Sequence, residues 1–530
     1  MAPVRKKKRT DSKPKAIKKE IEETIAKVRS LEKGVQESKK NLNDIVQIVE
    51  YCENEHPEII YAAINSLQRI FVDFLKKGDL QKIKENANVD GAEKAKLVVS
   101  TWLRDHYIKY YNHLLRLLCH QEPSLQVTAL NLLLDFTAKE TSMTGVFPNF
   151  LYFKIVEALV NNDNFNGGLQ SALMEKYLNY YDDLRYYFLK DLAKIFSTEL
   201  LKASNSSKAI LVTNGFAILE QLRTMPTDES EIDEFWTEEP KVDDEGDSDK
   251  KPVLLQLQAH RKMFSDCWIA FLRLPLTTDI YKKVLVMMHK KIIVHMPQPT
   301  LLMDFLTDSY NAGGAISLLA LNGLFTLIHE HNLDYPDFYK KLYALLDRNV
   351  LHVKYRSRFF RLLDLFLSST HLSSSLVAAF VKRLARLSLS APPPGILILI
   401  PIIYNLLKRH PSTMVLIHRD SDEQVNSADG DPYDFSEADP LESNAMDSSL
   451  WEIETLKDHY FPNVSALAKI FSEKFNKPSY NLEDFLDHTY TTLISAELGR
   501  KIKKTPALAI ESNNTLFSEE DAFSSLWTLA

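Results

Sequence analysis

Apolar residues in this chain recur every three or four positions and almost nowhere at every second position, a spacing that restricts it to helices. Ile64, Leu67, Ile70, Phe71 and Phe74 share one helical face, and Leu42, Ile45, Val46 and Val49 share another. Similar stripes run through 113–118, 125–136, 151–159, 178–188 and 192–201. No segment combines alternation with Val, Ile and Thr enrichment, so strands are not supported. Only 14 glycines occur in 530 residues, which leaves few tight turns and few backbone cradles for phosphate. Helices of this length joined by short breaks predict an all-α chain: a HEAT-like helical-repeat solenoid in two halves, without a fixed sequence period. The run from Gly395 to Leu407, GILILIPIIYNLL, is interrupted by Pro401. It is shorter than the roughly 20 residues that span a bilayer, and it reads as a buried core helix.

Charge divides the chain further. The net charge of −7 hides a basic head and two acidic stretches. Residues 227 to 250 hold twelve carboxylates against Lys241 and Lys250, and residues 420 to 454 contain no lysine or arginine. Such composition leaves too little apolar surface to offset ordering entropy, so residues 227 to 250 and about 420 to 445 are expected to be mobile. Phe235-Trp236 is one exception, with a local contact with the flanking helices the favoured reading, and Asp431-Pro432-Tyr433-Asp434-Phe435 is another, resembling the wall of a folded domain more than a free tail. The layout that follows is a basic disordered tail over 1–20 and an N-terminal helical repeat region over 21–226. An acidic linker over 227–252, a helical domain over 253–419 and a second acidic linker over 420–448 come next. A C-terminal helical segment over 449–502 and a tail over 503–530 complete it.

Chemistry is sparse. Cys52, Cys119 and Cys267 are odd in number and lack metal or disulfide spacing, so each reads as a small buried residue in a reducing compartment. His329-Glu330-His331 places its two imidazoles on different helix faces with no third ligand at useful spacing. Gly167-Gly168 and Gly313-Gly314 lack the context of a phosphate loop, and no nucleophile elbow occurs. No catalytic residue, cofactor or metal is expected, and the chain reads as an interaction protein rather than an enzyme. The start, Met1 to Lys6, has no apolar core behind its charges and so predicts no secretory signal.

Two basic features remain. Arg5, Lys6, Lys7, Lys8 and Arg9 form a compact block that reads as a nuclear import signal, a phosphate-contacting arm or a solvated tail, with import favoured. Lys354, Arg358 and Arg361 share a helix face, and Lys382, Arg383 and Arg386 form a second cluster. These read either as solvated faces or as contacts to RNA phosphate or an acidic partner. No aromatic RNP1-type motif supports base-specific reading of RNA.

The most distinctive blocks lie between 313 and 418. Gly313-Gly314-Ala315-Ile316-Ser317-Leu318-Leu319-Ala320-Leu321 opens the region, and Leu333-Asp334-Tyr335-Pro336-Asp337-Phe338-Tyr339 follows. Leu376 to Leu387, Pro392-Pro393-Pro394 and Tyr404-Asn405-Leu406-Leu407-Lys408-Arg409-His410-Pro411 close it. Together they resemble the CCAAT-binding-factor domain of the nucleolar complex protein family. The resemblance implies a nuclear and nucleolar scaffold in ribosome biogenesis, acting in pre-rRNA processing, assembly and export of the small-subunit precursor. The small-subunit pre-ribosomal particle is the implied setting and nucleolar protein 14 the implied partner. The unit over 253–418, with the segment after 449, is the expected docking region, and Tyr335, Phe338, Tyr339 and Tyr343 are its candidate anchors. The alternative is an assembly factor that touches pre-rRNA directly through its basic helix faces.

Overall fold

A computed structural model describes residues 13–80, 91–201, 206–222, 225–238, 251–333, 335, 337–353, 355–418 and 430–501. Arg5 to Arg9, Lys354, residues 239–250, residues 420–429 and the tail from 502 lie outside the described residues. The chain divides into two compact units, Met1–Tyr335 and Pro336–Ala530. That division falls inside the stretch 253–419 expected from sequence to be one domain. No strand occurs among the described residues, and none of their helices is long and apolar enough to cross a membrane.

The first unit is a succession of helices: α1 (Lys13–Glu37), α2 (Asp44–Tyr51), α3 (Pro57–Lys76), α4 (Gly91–Leu118), α5 (Pro123–Thr144), α6 (Asn149–Val160), α7 (Gly167–Leu173), α8 (Asp182–Leu201), α9 (Ser206–Gln221), α10 (Leu257–Leu272), α11 (Thr278–Met287), α12 (Met303–Asn311) and α13 (Gly314–His331). Helix α3 shows why these segments fold as they do. Pro57 sits in its first turn, where the missing N–H costs nothing, and Ile59, Ala63, Leu67, Ile70 and Phe74 are buried along one face. Helix α5 starts the same way at Pro123 and stops at Gly145. There φ of 66° lets the Gly145 N–H reach the Thr141 carbonyl at 2.7 Å, a conformation that costs glycine little. Each helix packs on neighbours one or two steps along the chain: α1 on α3, α3 on α5, α4 on α6, α6 on α8. This is the nearest-neighbour logic of helical repeats.

Buried amides close the helix ends between layers. Asn162 donates to the Leu118 carbonyl at 2.8 Å, and Asn214 donates to the carbonyls of Val160 at 3.1 Å and Asn162 at 2.8 Å. Each bond satisfies a terminal carbonyl that the helix itself cannot. Helix α8 packs along α10, with Phe196 and Phe271 rings 5.4 Å apart, so the chain beyond the first acidic stretch returns to the same unit. Cys119 is exposed, unlike Cys52 and Cys267, because it sits at the end of α4 rather than on its packed face.

The expectation of a mobile linker over 227 to 250 is corrected for residues 227–238, which are docked. The Trp236 indole donates to the Leu134 carbonyl at 2.8 Å and lies edge-on to the rings of Tyr177 and Tyr181. The buried Asp183 carboxylate accepts from the Trp236 N–H at 3.0 Å, the Thr237 N–H at 2.9 Å and the Thr237 hydroxyl at 2.6 Å. Two aromatic contacts and four hydrogen bonds outweigh the ordering cost that acidic composition alone suggests.

The second unit contains α14 (Phe338–Ala344), α15 (Arg356–Phe366), α16 (Ser374–Ser388), α17 (Pro393–Arg409), α18 (Trp451–Thr455), α19 (Pro462–Ala468), α20 (Glu483–Leu486) and α21 (Tyr490–Leu498). Helix α17 carries the apolar run, and every residue from Pro394 to Leu407 is buried. Pro392 caps it and Pro393 opens it, consistent with prolines that end one helix and preset the next. Around α16 and α17 the later chain returns: α18 packs on α16, and α19, α20 and α21 pack on α17.

Candidate interaction site

Helix α16 presents three cations from consecutive turns, and all three face the returning segment 430–456. Lys382 is fully buried. Its ammonium sits 2.9 Å from Asp431 and 2.7 Å from Glu452, and donates to the Ser449 carbonyl at 2.6 Å. Arg386 bridges the same two carboxylates, at 2.5 Å to Asp431 and 3.0 Å to Glu452. The Trp451 ring lies near both cations, 5.5 Å from the Lys382 ammonium and 4.9 Å from the Arg386 guanidinium. Arg383 donates to the carbonyls of Leu346 at 2.9 Å and Phe435 at 3.2 Å, with its guanidinium between the rings of Tyr343 and Phe435. Burial pushes the Asp431 carboxyl up, but hydrogen bonds from Ser448, Trp451 and Lys382, with the Lys382 charge, bring it down to about 2. A buried lysine is tolerated only in such company.

This arrangement corrects two expectations. Residues 430–448 are a strap packed on α16 rather than a mobile linker. Of Lys382, Arg383 and Arg386, read as candidates for RNA phosphate or an acidic partner, Lys382 and Arg386 meet acids inside the unit and Arg383 is taken up by backbone carbonyls and aromatic rings. Of the other basic face, Arg361 is exposed and paired with Glu483 in a two-pronged contact of 2.6 and 2.5 Å, Arg358 is half-buried, and Lys354 lies outside the described residues.

The aromatic candidates also turn inward. Phe338 and Tyr343 are buried, Phe338 edge-on to Phe366 at 5.2 Å and Tyr343 edge-on to Phe380 at 5.4 Å. The Tyr343 hydroxyl shares a 2.8 Å hydrogen bond with the Tyr433 hydroxyl. These two residues pack the unit's own core, which corrects their reading as interface anchors. Tyr339 is half-buried and donates to the Phe366 carbonyl at 3.3 Å. Tyr335, in the first unit, is half-buried beside the Tyr310 ring.

The outward apolar face lies elsewhere, on α21. Tyr490, Ile494 and Leu498 are 58%, 57% and 82% exposed, at four-residue spacing, which keeps them within about 80° of arc on a helix. Leu493, about 100° round the helix from the centre of that stripe, is buried, and the Thr489 capping box fixes the first turn. Tyr490 also lines a cleft of about 420 Å³ bordered by Leu351, Arg356, Ser357, Pro392 and Leu486. The Ser357 hydroxyl donates to the Leu486 carbonyl at 2.7 Å and Arg356 donates to the His488 carbonyl, so α15 holds the base of α21 in place. The four-residue spacing of these three apolar side chains is visible in the sequence, but which side it faces is not.

Residues 317–468 match the CBF/Mak21 family, and residues 18–201 match the family described as nucleolar complex protein 4-like, TPR repeats. Across nearly the whole chain, the mouse (Mus musculus) nucleolar complex protein 4 homolog is 37% identical over 499 residues, covering 91% of this chain and 94% of that protein. The Danio rerio homolog is 39% identical over 487 residues, covering 89% and 90%. A Schizosaccharomyces pombe protein described as uncharacterized is 41% identical over 492 residues, covering 91% and 97%. The chain belongs to the nucleolar complex protein 4 family.

As a nucleolar complex protein 4 family member the chain acts in the nucleolus, in ribosome biogenesis. The TPR description covers α1 to α8, where helix spacing predicts HEAT-type pairs, and both names denote stacked helix pairs. The CBF/Mak21 match takes in α16, its acidic strap and α17, so the charge cluster falls within the shared region. It ends before α21, whose apolar stripe lies past the matched segment.

Proposed function

We propose that this chain is a non-catalytic scaffold that holds nucleolar protein 14 within the small-subunit processome, supporting pre-rRNA processing, assembly and export of the small-subunit precursor. The observation that carries this reading is the exposed Tyr490–Ile494–Leu498 stripe beside its cleft. Three large apolar side chains on one helix face, held by a buried Leu493, suit an amphipathic helix laid alongside. The charged clusters that could have served RNA from this unit are engaged internally, which favours the protein partner at this face. Entry to the nucleus is assigned to Arg5, Lys6, Lys7, Lys8 and Arg9.

Full-length chain carrying Ile494→Asp and Leu498→Asp tests the scaffold reading. Both residues are exposed, so the melting temperature should hold while nucleolar protein 14 is lost from nuclease-treated, salt-washed purifications. Interface anchors of this kind cost about 2 kcal/mol or more when removed, roughly a 30-fold loss of affinity. Undiminished recovery of nucleolar protein 14 with the double variant would refute the assignment. Replacing all five residues from Arg5 to Arg9 with alanine should shift the protein to the cytoplasm, and unchanged nucleolar accumulation would refute the import role.

A further inference from the structure

Between Cys267 and Met303 the sequence holds Arg273, Lys282, Lys283, Lys290 and Lys291 against one acid, Asp279, in a chain whose net charge is −7. Four of these cations lie on one continuous helical segment, α11 followed by a π-helical turn over Met288–Ile292. On a regular α-helix the two lysine pairs would be offset by about 80°, which spreads the four side chains over about 180° of arc. At about 100° per residue, Lys291 would stand about 180° from Lys282, on the side taken by the buried Ile280 and Val284. The widened turn takes up one extra residue, which rotates the following chain back by about 100°. Lys290 then falls near Lys282 and Lys291 near Lys283, and all four occupy an arc of about 120°, opposite the buried Val284, Leu285, Met288 and Ile292. The two pairs are about 10 Å apart along the axis.

None of the four lysines forms an ion pair among the described residues. Lys283 lies 5.8 Å over the Phe216 ring and Lys291 donates to the Glu220 carbonyl at 3.2 Å, contacts that orient the ridge without neutralising it. Asp279 is exposed on the same segment and makes no ion pair with them. Apolar exposure on the ridge is slight, with Val286 38% exposed between the pairs. This contrasts with α16, where every cation is matched by a carboxylate or by backbone carbonyls. A cationic ridge with no aromatic anchor is poorly suited to a protein interface, whose core needs one. It does suit a polyanion with regularly repeated charge.

We propose that Lys282, Lys283, Lys290 and Lys291 form a phosphate-contacting ridge that binds RNA through its backbone, without reading sequence. The proposal rests on the chain's place in ribosome biogenesis and is independent of the docking role assigned to α21. The π-helical turn, which sacrifices regular hydrogen bonding, aligns the two lysine pairs on one face.

The full-length chain is tested by fluorescence anisotropy against a 20-nucleotide single-stranded RNA and an RNA duplex across a salt series. Wild-type protein should bind with an affinity that falls steeply with salt. The quadruple lysine-to-glutamate variant should weaken binding at least tenfold at moderate salt and reduce the log–log salt slope by about 3 on single strands. The quadruple lysine-to-arginine variant should bind as wild type, and both should keep the wild-type melting temperature. If wild type fails to bind RNA, or the glutamate variant matches it in affinity and slope, the proposal is overturned. It is equally overturned if the glutamate variant binds RNA normally but loses a protein from nuclease-treated purifications, since the ridge would then serve an acidic protein.

Discussion

Residues 227–238 and 430–456 are both acidic, and composition predicts mobility for the first and for most of the second, yet they are fastened by opposite means. In the first, the segment offers an indole and two backbone N–H groups, and the carboxylate that receives the N–H groups, Asp183, belongs to α8. The segment's own acids take little part: Asp233 and Glu234 are not buried, and Glu231 accepts from Thr227 within the same loop. In the second, the acids are the fasteners, with Asp431 and Glu452 closing on Lys382 and Arg386. Composition treats the two stretches alike because it averages over residues. Order is decided by the one or two side chains that find a buried partner, whatever the charge around them.

The largest break in this symmetry should come from Lys382→Ala. It leaves the fully buried Glu452 with Arg386 as its remaining cation and opens a gap at a fully buried position, costing about 3 kcal/mol or more. The melting transition of the second unit should fall, and protease should open 430–456 first while 227–238 stays protected. Pairing Lys382→Met with Glu452→Gln should recover much of the loss, because the uncompensated charge is removed with its partner.

Trp236→Ala should be smaller, about 2 kcal/mol, for one hydrogen bond and a half-buried ring. Protease should then cut within 225–238 and leave the second strap intact. Cleavage of both straps in either variant would show that they are coupled, against the separate fastening described here.

Acid should distinguish the straps next. Asp431 is held near 2, below its ordinary 3.8, so its contribution to stability is full at neutral pH. It should fade as the pH drops below about 5, where the unfolded chain protonates first, and vanish near pH 2. Asp431→Asn should remove about 1–2 kcal/mol at pH 7, discounted for partial exposure, and flatten this acid limb. An unchanged limb in a pH series of melting curves would assign the acid sensitivity to other carboxylates. Smallest of all, Arg361→Ala should cost under about 1 kcal/mol, since the pair with Glu483 is exposed on both sides.

Helices are legible in the sequence because their signal is local. The stripe Ile64–Leu67–Ile70–Phe71–Phe74 is buried in α3, and GILILIPIIYNLL is the core helix α17, as the spacing requires. What depends on chain return is not legible. Lys382 and Arg386 look like any solvated helix face until Asp431 and Glu452 come back to meet them, and lysine is so seldom fully buried that surface is the reasonable expectation. Tyr343 and Phe338 suggest interface anchors because four aromatics on neighbouring turns exceed one core stripe. The structure uses the excess to seat Arg383 and Phe366. The division at Tyr335 escapes the sequence for the same reason, since α10 packs back on α8 across the acidic stretch.

The strap also sets an order of events during synthesis. Lys382 bonds to Ser449, 67 residues further along the chain. At about 5–20 residues per second, α16 leaves the ribosome roughly 3–13 s before its acids do. Through that interval the nascent second unit carries two unmatched cations, Lys382 and Arg386, beside a long apolar helix, and its closure waits for the strap to emerge. A nascent chain arrested before residue 430 would therefore keep α16 open, so a segment made well after the helix is the one that seals it.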